Sequence, residues 1–300
     1  MRYTCFLPLI PDIINIQDNS YGLVEMFNSA DATKEFVVNN RRSTKLKIIP
    51  YIGCKAGFSH IFDEILPVEF DNHLYDVFGG GGSFAFYACA RYGAKRVTYN
   101  DNNPVVVNLI QHLQCEPHKL WSLYNEHYKQ SSEQHFYDVR TQNLESGVDG
   151  AANFLYLAKN AFSGKIRFNR KNRFNTSIRK HSRCPKLDLG DLLQLSETIQ
   201  ELTIVNKDYT EFSAVTNALV YLDPPYFNNS NRHYNSVIDL QEFNRFLRTI
   251  ETNNKIVLSE QNEPAVFGLP DSYFVCSVIL KRSLQYVTRS QSREMIAFNF

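Results

Sequence analysis

The residues of this 300-residue chain best suited to chemistry lie in one short run, Leu219-Val220-Tyr221-Leu222-Asp223-Pro224-Pro225-Tyr226. Leu, Val, Tyr and Leu suit a buried strand. The proline pair must end it, because proline brings no N–H to the ladder. Asp223 is thereby set at the carboxyl end of a strand, where open α/β sheets place their ligand crevice. The prolines restrict the backbone, so the carboxylate, the prolyl carbonyls and the Tyr226 ring face one place. Such a cluster suits work on an exocyclic amine: a carboxylate and a carbonyl accept its two N–H groups while the ring stacks on the base. Taken alone, the run is equally a proline turn after a core strand, with Asp223 as a helix cap.

A second run decides between the two readings. Leu74-Tyr75-Asp76-Val77-Phe78 leads into Gly79-Gly80-Gly81-Gly82-Ser83, then a helical pattern ending near Gly93, then Arg96-Val97-Thr98-Tyr99-Asn100 with Asp101 just beyond. Strand, glycine loop, helix, strand and acid is the order of a nucleotide-type site. Glycines admit a ligand to the backbone, and the acid after the second strand reaches ribose hydroxyls. The loop is not a dinucleotide fingerprint, since Phe84 and Ala85 stand where Gly-x-Gly-x-x-Gly needs its last glycine, and no Gly-Lys-Ser/Thr follows. A phosphate-free adenosyl ligand such as S-adenosylmethionine fits better than NAD or ATP.

A third feature concerns partners. Lys165, Arg167, Arg170, Lys171, Arg173, Arg179, Lys180, Arg183 and Lys186 accumulate with no acid between Gly164 and Leu187. Asn169, Asn172, Asn175, Phe168 and Phe174 are interleaved. Lys and Arg neutralise phosphates, Asn reads base edges and Phe can wedge or stack, so nucleic acid is favoured over a merely solvated basic face.

These groups need elements to hold them. Apolar residues at 58, 61, 62 and 65 have helical spacing closed by Pro67, after a glycine-bearing turn that contains Lys55. Strand–helix alternation lapses from about Gln111 to Gln200, where the pattern is mainly helical, and then returns. Strands are expected at Leu202–Val205, Leu219–Leu222, Lys255–Ser259, Tyr273–Val278 and Met295–Phe298, and a helix over Leu240–Ile250. The last strand is expected to enter the sheet as an antiparallel partner. Residues 1 to about 45 show no clean periodicity and read as an arm or a small appended subdomain.

Composition sets the remaining bounds. Hydrophobic content of 43% and charged content of 21% are those of an ordinary globular chain, and the formal net charge of +1 selects no partner. The six cysteines form no Cys-x-x-Cys pair, which argues against a zinc ribbon or disulfide framework and for free thiols in a reducing compartment. No metal is expected. The start lacks a signal-peptide pattern and no apolar run has membrane-spanning length, so the default is the cytoplasm.

With these motifs in order, residues 48 to 300 resemble the Dam-like (D12 class) DNA adenine-N6 methyltransferases that use S-adenosylmethionine. Asp223-Pro224-Pro225-Tyr226 is similar to their catalytic Asp-Pro-Pro-Tyr, and Phe78-Gly79-Gly80-Gly81-Gly82-Ser83 to their Phe-x-Gly-x-Gly-Ser cofactor loop. The resemblance makes Asp101, with Asn102 beside it, the ribose-binding acid, and Asp208-Tyr209 the pair beside the cofactor adenine. Phe154 to Gly164, with Arg167-Phe168-Asn169 and Phe174-Asn175, is similar to the start of their DNA-recognition region. Where the family reads Lys-Trp-Ala-Gly-Gly-Lys, this chain has Pro50-Tyr51-Ile52-Gly53-Cys54-Lys55, which keeps the final lysine and offers Tyr51 as an aromatic wall.

The resemblance implies an α/β, Rossmann-like S-adenosylmethionine-dependent methyltransferase core with a mixed sheet. Residues 48–112 and 200–300 would form that core, 113–199 a mainly helical target-recognition insertion, and 1–47 an extension of unassigned role. It implies transfer of a methyl group to adenine N6 after base flipping, leaving S-adenosylhomocysteine. The partners implied are double-stranded DNA, with GATC as the first target to test, and a cognate restriction nuclease in a bacterial or phage setting. Two alternatives stay open, an RNA or other amine methyltransferase and a catalytically weak DNA-binding relic. A zinc deaminase is excluded, because His-x-Glu with a paired Pro-Cys-x-x-Cys is missing.

Overall fold

A computed structural model of the protein describes residues 34–39, 47–50, 55–169, 171–180, 183–225, 238–260, 267–270, 272–281 and 291–300. Its strands are β1 (Lys34–Asn39), β2 (Leu74–Asp76), β3 (Val97–Asn100), β4 (Thr203–Val205), β5 (Leu219–Leu222), β6 (Lys255–Glu260), β7 (Phe274–Lys281) and β8 (Gln291–Phe298). They form one sheet in the order β1-β7-β8-β6-β5-β2-β3-β4. β8 runs antiparallel to β6 and β7, and the other pairings are parallel. This is the expected α/β core with its last strand inserted antiparallel. β1, within the stretch that shows no periodicity, adds a strand beside β7. β8 begins earlier than its apolar pattern suggests, because Gln291–Glu294 pair with the far half of β7. A backbone ladder does not require apolar side chains there.

The helices are α1 (Ser59–Ile65), α2 (Ser83–Tyr92), α3 (Pro104–Cys115), α4 (Pro117–Gln130), α5 (Glu133–Val139), α6 (Gly147–Asn160), α7 (Leu189–Thr198) and α8 (Leu240–Glu251). They cover both faces of the sheet. Within β5, Leu219 and Tyr221 join the core shared with α1 and α2, while Val220 and Leu222 join the core under α8. A parallel strand buried on both faces has no polar face to show, which is why this run reads as continuously apolar. The first core continues from the sheet through α3 into α4, α6 and the packed aromatics of residues 166–174. The mainly helical insertion between β3 and β4 therefore shares its hydrophobic interior with the sheet.

Helix α8 shows how sequence and packing agree. Phe243, Phe246, Leu247 and Ile250 recur at helical spacing and are buried, and the Asp239 side chain accepts from Glu242 N at 2.9 Å to cap the first turn. Phe243 is fully buried between Phe78, Tyr209, Phe246 and Phe267. Phe243→Ala is expected to cost about 3–5 kcal/mol. Denaturant unfolding would show this as a lower midpoint at unchanged slope. A change below about 1 kcal/mol would mean that α8 is not fastened through this ring.

Candidate active site

The chain leaves the adjacent strands β2 and β5 in opposite directions, to β3 on one side and β6 on the other. Such a switch point opens a crevice at the carboxyl ends of the two strands. Val77 N donates to Tyr221 O at 3.2 Å, so Phe78-Gly79-Gly80-Gly81-Gly82 and Asp223-Pro224-Pro225 emerge side by side. Two features separated by more than a hundred residues of sequence thus share one crevice.

The glycine loop is fixed by contacts that only glycine permits. Gly79 N donates to Asn100 O at 2.7 Å, and a Cβ at Gly79 would lie 2.2 Å from the Tyr99 ring. Gly82 has φ +80 and opens α2, with buried Ser83 as its first residue. Asp101 clasps the loop: its Oδ2 accepts from Gly80 N and its Oδ1 from Asn103 N, both at 2.8 Å. Burial pushes the Asp101 carboxyl up, and these two N–H groups hold it back. Each oxygen keeps lone-pair capacity for a ligand hydroxyl. Asn102, next to it, is exposed.

The strongest charges in the crevice surround Lys55. Its Nζ donates to Asp223 Oδ1 at 2.9 Å and Oδ2 at 2.8 Å, and lies 3.5 Å from Glu294 Oε2. The side chains of Lys55 and Glu294 are each 3% exposed and that of Asp223 17%. Asp76 completes the group at 1% exposure, with Oδ2 accepting from Ala85 N at 3.1 Å and Oδ1 without a hydrogen-bond partner among the described residues. Burial pushes the Asp223 carboxyl up to about 6; Lys55 holds it back and Glu294 adds to the rise. Burial, with Asp223 nearby, takes Asp76 well above the usual carboxylate range. Two buried carboxylates, Asp223 and Glu294, face one ammonium here, and that imbalance suits a positively charged ligand. The sequence reading missed Asp76 and Glu294, since one lies within a strand and the other in the polar half of β8. A carboxylate interrupting an otherwise apolar strand was the available signal for Asp76.

Asp208 and Tyr209 follow β4, on the far side of the glycine loop. Asp208 Oδ1 accepts from Thr210 N and Thr210 Oγ1, and Asp208 N donates to Glu211 Oε1, so the carboxylate caps a short 3-10 turn. The Tyr209 ring lies 5.5 Å from Phe78. Asn100 ties this segment to the loop, donating to Val77 O and Lys207 O and accepting from Lys207 N. The structure thus gathers Lys55, Phe78, Gly79, Gly81, Ser83, Asp101, Asp208, Tyr209, Asp223, Pro224 and Pro225 at the carboxyl ends of β2, β3, β4 and β5. Tyr51 and Tyr226 lie outside the described residues.

The basic run forms a hairpin rather than helix. Ala161 bridges Ile178 and Phe168 bridges Phe174, while Asn169 N donates to Arg173 O and Asn175 N to Arg167 O. Phe168 and Phe174 do not stand out as wedges: they pack on each other and on Phe154, fastening the hairpin to α6. Two of the asparagines are also engaged. Asn169 Oδ1 accepts from Lys171 N and Arg173 N to close the turn, and Asn172 Nδ2 donates to Glu145 Oε1. Lys171, Arg173, Asn175, Lys180 and Arg183 are exposed, Lys165, Arg167 and Arg179 half-buried, and Arg170 lies outside the described residues. The exposed aromatic is instead Phe162, at 52%, at the base of the hairpin. A Cβ at Gly164 would lie 3.0 Å from Pro50, so this base abuts the segment leading to Lys55.

Residues 51–280 match the model of the D12 class N6 adenine-specific DNA methyltransferase family. The type II methyltransferase M1.LlaDCHI of Lactococcus lactis subsp. cremoris is 26% identical over 201 residues, 63% of this chain and 69% of the relative. The type II methyltransferase M.MjaIII of Methanocaldococcus jannaschii is 24% identical over 270 residues, 80% of this chain and 93% of the relative. Among solved structures, the rRNA methyltransferase aviRa of Streptomyces viridochromogenes aligns over 80% of this chain and 83% of its own at 13% identity and a TM-score of 0.35, too distant to bear on fold or function.

Lys55→Met would leave the Asp223 and Glu294 carboxylates buried without their counter-ion, a loss of about 3–5 kcal/mol. The Asp223 carboxyl, already raised by burial, would then titrate further above its unfolded value, so the penalty is full where it must ionise and falls as acid protonates it. The loss should therefore be large at about pH 8 and smaller near pH 5 by denaturant unfolding. An equal loss at both would show that Lys55 acts through packing alone.

Proposed function

The chain belongs to the D12 class N6 adenine-specific DNA methyltransferase family, and from this premise we propose that it transfers the methyl group of S-adenosylmethionine to N6 of an adenine flipped out of double-stranded DNA. The observation carrying the proposal is the buried carboxylate of Asp223, set beside the glycine loop at the switch point and held by Lys55. S-adenosylmethionine supplies an electrophilic methyl group on a sulfonium, whose positive charge suits the excess of carboxylate around Lys55. Asp101 would hold the ribose hydroxyls, with Asn102 beside it, and Phe78, Asp208 and Tyr209 the adenine. Gly79 and Gly81 keep the loop backbone open to the ligand, Ser83 opens the helix behind it, and Tyr51 adds a wall.

Adenine N6 is a weak nucleophile because its lone pair is delocalised into the ring. Asp223 and the Pro224 carbonyl accept its two hydrogens, with Pro225 fixing the turn and Tyr226 stacking on the base. Stacking of this kind is worth roughly 1–3 kcal/mol, comparable with the cost of flipping. Once the new C–N bond forms and the C–S bond breaks, N6 sheds one proton, for which Asp223 is the adjacent base. Positioning for in-line attack is the main contribution of the site.

Residues 113–199 act as the recognition insertion. The hairpin tip contacts phosphates through Lys171 and Arg173, with Lys165, Arg167, Arg179, Lys180 and Arg183 as further cations, and Asn169, Arg170 and Asn175 are assigned to the same DNA contact from the sequence. Phe162, exposed at the hairpin base, is the ring available to stack in the duplex. We assign a fixed target site, on the likeness to proteins named type II methyltransferases, with a restriction nuclease as the partner such modification opposes. No helix among the described residues is long and apolar enough to cross a membrane. Action on DNA in the cytoplasm is the setting we assign.

The test is methyl transfer from labelled S-adenosylmethionine to unmethylated genomic DNA, with sequencing for N6-methyladenine. One enriched motif is expected, and Asp223→Ala should lower the rate at least about a hundredfold while retaining cofactor and DNA. Wild-type transfer to RNA alone would overturn the DNA assignment. Since Asp223 works ionised and its carboxyl sits at about 6, kcat/KM should fall as pH drops through that value, about tenfold per pH unit below it. A profile flat to pH 5 would exclude Asp223 as the titrating group.

The hairpin assignment has its own test. Lys171→Ala and Arg173→Ala should each weaken DNA binding on all sequences and lower the slope of log K against log salt by about 1. An unchanged slope would remove the tip from the phosphate contacts.

A further inference from the structure

Two partners compete for Asp223. Both of its carboxylate oxygens accept from Lys55 Nζ, at 2.9 and 2.8 Å, yet methyl transfer requires one of them for the target amine. Each oxygen keeps a free lone pair, but an ammonium bridging both crowds the approach of the target amine unless a second anion draws it aside. Glu294 is placed to do so. It comes from β8, the strand that runs opposite to its neighbours and so begins at the carboxyl ends of the parallel strands. Its Oε2 lies 3.5 Å from Lys55 Nζ, beyond a good hydrogen bond, and has no hydrogen-bond partner among the described residues. The Phe58 ring lies 5.6 Å from the same Nζ, and the lysine side chain is 3% exposed. Among the described residues the ammonium therefore has two carboxylates within reach, and it is almost fully buried.

We propose that Glu294 is a positioning residue for the methyl transfer, receiving the Lys55 ammonium as the target amine takes its place on Asp223. The inference rests on the methyl-transfer reading above. A shift of a few tenths of an ångström brings Nζ from Asp223 into hydrogen-bond range of Glu294, so no rearrangement of the sheet is needed. Asp76 and Tyr221 are the other titratable groups facing Asp223, and neither can do this work. A tyrosine kept protonated by burial carries no charge to offer Lys55. Asp76 is buried and taken well above the usual carboxylate range.

The test compares Glu294→Gln and Glu294→Asp with the wild-type full chain. Glu294→Gln keeps the volume and removes the charge, so Lys55 stays on Asp223 and kcat should fall about ten- to a hundredfold with cofactor binding retained. Removing a negative neighbour also lets Asp223 ionise more easily, so the acid limb of kcat/KM should move to lower pH. Glu294→Asp, which keeps the charge, should recover part of kcat and return the limb toward the wild-type position. Should Glu294→Gln fail to fold, Glu294→Asp alone must still show a reduced kcat with the limb close to wild type. A Glu294→Gln enzyme with wild-type kcat and an unmoved limb would overturn the inference. So would a lower kcat with an unmoved limb and no recovery in Glu294→Asp, the signature of a structural role. If Asp223→Ala is inactive while Glu294→Gln is normal, only this inference falls; if the wild-type protein methylates no adenine, the methyl-transfer reading itself fails.

Discussion

One ammonium holds the crevice at the strand ends together. Lys55 Nζ meets both oxygens of Asp223 and faces Glu294, with Asp76 buried nearby. Burying carboxylates is costly unless they are paired, and removing one partner leaves the other uncompensated. A single lysine therefore fixes where three separate parts of the chain can sit: the turn before α1, the end of β5 and the start of β8. Burial, which Lys55 offsets only in part, keeps Asp223 within reach of neutral pH. A carboxyl in that range accepts hydrogen bonds as an anion and can still take a proton afterwards.

A second set of contacts makes the crevice rigid without using charge. Asp101 accepts from Gly80 and Asn103, Tyr99 donates to Gly80 O at 2.8 Å, and Asn100 bonds both Val77 O and Lys207. Three strand ends are tied through backbone groups that irregular loops otherwise leave unsatisfied. Binding groups held this way need little reordering when a ligand arrives, which is where preorganised sites gain affinity.

The basic hairpin follows a different logic. Phe168 and Phe174 face inward onto Phe154 and Asn169 closes the turn, leaving exposed Lys and Arg on a firm base. Phosphate contacts position a protein on DNA but carry no sequence information by themselves. The insertion shares its core with the sheet, and Gly164 abuts Pro50 a few residues before Lys55. The surface carrying the cations and the crevice around Lys55 are thus parts of one packed body.

Much of this was legible in the residues alone. Continuous apolar runs such as Leu219–Leu222 mark doubly covered strands, the glycine run marks a loop close to a ligand, and the proline pair marks where Asp223 must sit. These are local rules of backbone geometry, which a sequence carries directly. Only the tertiary structure decided which charges meet. Lys55, Asp223 and Glu294 are far apart in the chain, and Glu294 lies in a polar stretch with no apolar pattern to mark it. The inward packing of Phe168 and Phe174 is hidden for the same reason, since a Phe in a basic run has the same sequence signature whether it faces outward or onto Phe154. Burial and pairing belong to the fold, because they depend on the return direction of β8 and on the side of α6 that the hairpin covers.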